Sequence, residues 1–181
     1  MVIRILEVGL FAGLLLHIIQ GLVLWAQNSQ KRKVGYAVAY GNRGSAWYSR
    51  SMGLLGSLLL LFLIMHLYHF WTPSRLGGHA GIHLLDTVDY EGKEYANLFA
   101  EIVNVFQSPL VVVLYVLGCA SLAYHLLHGF QSAFRTLGLS NKRYMILVQS
   151  FGVGFSIVVP LAFAMMPVSV YFGWIGSAAG M

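Results

Sequence analysis

Four uninterrupted apolar stretches, roughly 3–26, 51–71, 109–133 and 146–173, constrain this chain more than any other feature. A bilayer core of about 30 Å is crossed by about 20 apolar residues in a helix, so each stretch is long enough to span it. The runs are continuous and lack the period-two alternation of barrel strands, which predicts helices. Pro160 and Pro167 in the last run are compatible with a span, because neighbouring helices satisfy the freed carbonyls. Charged residues make up only 9% of the chain, against about 25% in a soluble domain. The expected fold is therefore all-α: an integral membrane helical bundle, one domain over 1–181, with four transmembrane helices.

The same composition narrows the function. A net charge of +5 would point to nucleic acid in a soluble protein, but in a membrane protein excess Lys and Arg set topology, and no nucleic-acid partner is expected. The opening "MVIRILEVGLFAGLLLHIIQG" has one Arg and no A-x-A site, and it runs into a full span, so it does not read as a cleaved signal peptide. Cys119, the single cysteine, sits inside an apolar run and supports neither a disulfide nor a thiolate metal site.

The connections carry opposite charge. Residues 27–50 hold Lys31, Arg32, Lys33, Arg43 and Arg50, and residues 134–145 hold Arg135, Lys142 and Arg143. The 72–108 segment holds five of the six acids, Asp86, Asp89, Glu91, Glu94 and Glu101, against Arg75 and Lys93. The positive-inside rule places the two basic loops in the cytoplasm and both chain ends on the far side. Within the acidic segment, "YANLFAEIVNVFQS" spaces Leu98, Phe99, Ile102, Val103 and Phe106 at helical intervals, which predicts a short helix at the membrane surface.

Histidines are the costly residues of these spans. His17, His66, His69, His125 and His128 lie within them, while His79 and His83 lie in a glycine-rich polar loop and are expected to be solvated. One intramembrane histidine is most often a hydrogen-bonding residue between helices; five on three helices point to ligation. Counting from Gln27 and Arg135, His17 and His125 each lie ten residues in, so about 15 Å deep at the rise of a helix. His66 lies sixteen residues from Arg50, so about 24 Å deep. Zinc wants three or four converging ligands and carboxylates behind them, and no Asp or Glu lies in the spans near these histidines.

Two imidazoles at one depth on separate helices instead suit haem, whose flat apolar ring fills the space within a bundle. Without C-x-x-C-H it would be a non-covalent b haem. Gly13, Gly21, Ala120, Ser121, Gly129 and Ser132 would let a ring approach the backbone, or else serve close helix packing. His69 and His128, each one turn past a better-placed histidine, are expected to hydrogen-bond propionates, quinone or backbone. Arg50 and Arg43 at the cytoplasmic edge either pair with propionates or anchor the topology. A second class of function fits the same histidines: a small transporter or proton-conducting subunit using them as a relay. The lack of neighbouring acids and of broken-helix repeats weakens it.

Taken in order, "ILEVGLFAGLLLHIIQG", "SRSMGLLG" leading to "MHLYHF", "VFQSPLVVVLYVLG" and "AYHLLHGFQSAFRTLGLSNKRY" resemble the di-haem cytochrome b membrane anchor of bacterial succinate dehydrogenases and fumarate reductases. The resemblance runs from residue 5 to about 145; the last span matches only as an apolar helix. It implies an anchor that binds a flavoprotein subunit and an iron–sulfur subunit on the cytoplasmic side. Such an anchor passes electrons between them and membrane quinone, commonly menaquinone. Axial ligands would fall on His17, His66 and His125, with His17 and His125 sharing the haem nearer the cytoplasm. His128 stands where some relatives also carry histidine, so it is an alternative to His125. The family has five spans, and the one missing here carries the partner of His66. A helix bearing that histidine is thus expected from elsewhere.

Overall fold

The computed structural model describes residues 1–31, 47–139 and 141–175. Arg43 and the loop residues Arg32, Lys33, Tyr36 and Tyr40 lie outside them. In chain order the elements are α1 (Val2–Lys31), α2 (Trp47–Arg50), α3 (Met52–His66), a π-helical turn (Leu67–Trp71) and α4 (Thr72–Leu76). These are followed by β1 (Thr87–Tyr90), β2 (Lys93–Ala96), α5 (Leu98–Val105), α6 (Pro109–Thr136) and α7 (Lys142–Tyr171). Four helical segments are long and apolar enough to cross a membrane: Val2–Gln30, Met52–Leu76, Pro109–Thr136 and Arg143–Tyr171. The chain is an all-α bundle of a multi-pass membrane protein.

The second span reaches Leu76 rather than stopping near residue 71, and Pro73 explains how. Proline has no N–H for the carbonyl four residues back, here that of His69, and its ring crowds that carbonyl. The backbone widens into a π turn just before it, and both the N–H and the hydroxyl of Thr72 bond to the Leu67 carbonyl, the hydroxyl at 2.7 Å. The proline shifts the helix register instead of ending the helix. True ends come at Gly138 and Gly173, with φ of +74° and +70°. In each case the next residue donates back five positions, Leu139 N–H to the Phe134 carbonyl at 3.0 Å and Trp174 N–H to that of Ser169 at 2.8 Å. Such reversals need the left-handed conformation that glycine adopts without strain.

Lipid gives helices no hydrophobic reason to associate with one another, so small residues that admit close contact decide the packing. A side chain on Gly152 of α7 would collide with Phe130 of α6, and one on Gly118 of α6 with Phe62 of α3. Beside Gly118, Cys119 is 5% exposed, and Ser121 donates from its hydroxyl to the Leu55 carbonyl of α3 at 3.2 Å. Ser156 of α7 is fully buried and donates to the Gly152 carbonyl at 2.6 Å. The tightest core, Phe106, Val112, Tyr115 and Val170 with Phe62, Phe70 and Ile102 around it, lies at the acidic-loop end.

That end is covered by the expected surface helix, α5. Its N-terminus is capped by the Asn97 side chain, which accepts from Ala100 N–H at 3.0 Å. The hairpin β1–β2 before it is absent from the sequence expectation. Its strands are four residues each and wholly exposed. The signal that existed was Glu91–Gly92, both with positive φ, in a tight two-residue turn.

Candidate functional site

α1 and α6 bring His17 and His125 together. Their ring centres are 6.1 Å apart with the planes at 81°. Two metal–imidazole bonds of about 2.1 Å each put ring centres roughly 6 Å apart, so the pair is spaced as two axial ligands are. His125 is half-buried beside α3, where a side chain on Gly56 would stand 3.8 Å from its Cε1. Its Nδ1 is buried and has no hydrogen-bond partner. A buried polar nitrogen left unpaired is unfavourable by roughly 1–3 kcal/mol, and it marks a place where a further group is expected.

The surroundings leave room for that group. Gly13, His17 and Gly21 recur every four residues and share one face of α1, as His125 and Gly129 share one face of α6. A side chain built on Gly13, Gly21 or Gly129 would meet no atom within 4 Å, in contrast to the packing glycines 118 and 152. His17 itself is exposed on α1. Donor set, spacing and open flanks all fit a flat ring held between two imidazoles.

The other histidines sit differently. His66 meets Phe62, Phe70 and Tyr115, with ring centres at 5.8, 5.4 and 6.1 Å, and among the described residues no second histidine ring faces it. His69, carried round by the π turn, stacks on Tyr115 at 5.9 Å, and its Nδ1 shares a hydrogen bond of 3.0 Å with the tyrosine hydroxyl. His128 is half-buried one turn beyond His125; the ring that meets His17 is that of His125. Arg50 ends α2, whose Trp47 and Tyr48 pack on Tyr124, next to His125, at 5.5 and 6.3 Å. His79 and His83 are exposed as expected, and His83 Nε2 also reaches Glu101 Oε2 at 3.3 Å. That pair borders a cavity of about 200 Å³ that Asp86, Asn97 and Asn104 also line.

Sequence reasoning passed over one residue. Glu7 is the sixth acid, and it lies inside the first span. It accepts from Trp71 Nε1–H at 2.7 Å and from Arg75 at 3.1 and 3.0 Å. The available signal was its isolation: a lone carboxylate in an apolar helix is too unfavourable to lack a partner.

Compared with protein-family models, with curated proteins and with solved structures, the chain matches none.

Proposed function

We propose that the chain is the membrane-anchor cytochrome b subunit of a bacterial succinate:quinone oxidoreductase or fumarate reductase, set in the cytoplasmic membrane. The observation that carries this reading is the pair His17 and His125, with ring centres 6.1 Å apart on separate spans. The ordered run of segments resembling that family supports it from the sequence side.

Haem b bound there supplies a one-electron couple inside the apolar layer. The chain's own residues do the rest. His17 and His125 would hold the group, and Gly13, Gly21 and Gly129 would leave space beside it. Arg50, with Arg43, offers positive charge at the cytoplasmic edge for the acidic edge of the group. The basic loops 27–50 and 134–145 face the cytoplasm and dock the iron–sulfur subunit. Electrons pass between that subunit and membrane quinone, for which menaquinone is the family's common choice. Dicarboxylate and flavin chemistry belong to the partner subunits. A relay of histidines, the competing reading, would join His125 to a titratable neighbour by hydrogen bonds, whereas its Nδ1 has no such partner.

A visible spectrum of the purified chain with a haem count tests the reading. Sharp reduced bands and at least one haem per chain are expected; a protein without haem after expression with haem supplied would overturn it. Cross-linking from Asn141 should capture the iron–sulfur subunit, and links arising only from 72–108 would reverse the orientation.

A further inference from the structure

Helix α1 stands largely free of the bundle. Over Val2–Gln30 only Glu7, Phe11, Leu14 and Ile18 are even half-buried, one stripe with the spacing of a single helix face. Two contacts bracket His17 along this helix. Towards the basic-loop end, the Trp25 ring lies over Gly53 of α3, so close that a Cβ there would stand 2.6 Å from it. Towards the other end, Glu7 is gripped by Trp71 Nε1–H and by a two-pronged bond from Arg75, while Phe11 packs on the Trp71 ring at 5.3 Å. Glu7 is the one acidic side chain within the four spans.

The π turn sets up that grip. An extra residue in one turn rotates everything after it by about 100° relative to an unbroken α-helix. Trp71 closes the π turn and Arg75 follows in α4, so both face α1 only in this register. The Glu7 carboxylate, with its side chain 22% exposed, therefore receives three donors that an ordinary helix would aim elsewhere.

We propose that Glu7 is the positioning residue for His17: its clamp to Trp71 and Arg75 fixes the rotation and height of α1, and with them the gap between His17 and His125. This rests on reading those two histidines as a ligand pair. Ten residues separate Glu7 from His17, about 15 Å of rigid helix. A slip of one residue moves His17 by about 1.5 Å and turns it by about 100°, enough to take it off the face that meets His125. The Trp25 and Phe11 contacts are apolar, whereas the bond at Glu7 is directional and charged and so adds the sharpest constraint on rotation.

The test uses the full chain purified with haem. Glu7→Gln keeps an acceptor but drops the charge, and should weaken haem retention about tenfold or more, the range seen when groups that orient a metal ligand are removed. Its low-spin signal should broaden or shift. The exchanged pair Glu7→Arg with Arg75→Glu restores the ion pair but leaves Trp71 Nε1–H without its acceptor, so it should recover both properties in part. Spin labels on Leu15→Cys and Leu61→Cys, both exposed, report the α1–α3 distance without any haem, and buried Cys119 stays unlabelled. In Glu7→Gln that distance distribution should shift or widen. Unchanged haem retention together with an unchanged distance distribution would overturn the proposal. If the unaltered chain binds no haem, the ligand reading fails and the spin-label result alone decides whether Glu7 positions α1. If Glu7→Gln does not fold, Trp71→Phe removes one donor while sparing both charges, and an unchanged haem signal and distance distribution there would be equally fatal.

Discussion

His125 and His66 lie on helices that pack against each other, yet their surroundings are opposites. Around His125 and His17 the glycines face open space, and a buried nitrogen lacks a partner. Around His69 the protein supplies the partner, Tyr115 stacking on the ring and bonding its Nδ1, while His66, itself exposed, meets Phe62, Phe70 and Tyr115 on one side. Histidine alone thus says little in a membrane. The side chains around it separate a buried nitrogen left unpaired, at His125, from one whose partner the protein supplies, at His69.

The comparison breaks most decisively at the ligands. Replacing His125 or His17 with Ala should abolish the low-spin haem signal, whereas His66→Ala should leave that signal in place; optical and paramagnetic spectra of the three variants decide. Next in size, Gly118→Ala pushes a methyl into Phe62 and should destabilise the α3–α6 packing by about 1–3 kcal/mol, as overpacking does. Thermal unfolding in detergent measures it. Tyr115→Phe leaves the His69 Nδ1 without its partner in a buried setting and should cost about 1 kcal/mol in the same assay. The smallest expected effect sharpens the contrast further. Gly13→Ala meets nothing within 4 Å, so stability should hold or rise by about 0.5–1 kcal/mol through helix propensity. Haem retention should nonetheless fall, because the methyl enters the cleared flank. A Gly13→Ala variant that binds haem normally would show that the open face serves no ligand.

Much of this was legible before any coordinates, for physical reasons. Lipid demands long apolar helices, so the four spans and the surface helix α5 are written in hydropathy. The matched depths of His17 and His125 follow from a fixed rise per residue. What stayed hidden depends on contacts far apart in sequence or on backbone compromise. The partners of Glu7 lie 64 and 68 positions away, on a face that exists only because of the π turn. The second apolar run ends near residue 71 in the sequence, and nothing local announces that the helix widens before Pro73 and continues. The hairpin β1–β2 has strands of only four residues, too short for a periodic pattern to stand out, and neither face is covered.

Cys119, described above only as a buried side chain of α6, makes the chain its own stopwatch. A thiol enclosed among packed helices is inert to water-soluble alkylating reagents, and reacts when the surrounding seam opens. As the chain's only cysteine, it produces a single mass shift per opened molecule, with no engineered reporter needed. The rate of that shift counts how often the helices packed around the third span part, and its slowing on haem addition would measure how far a group held between α1 and α6 steadies the bundle.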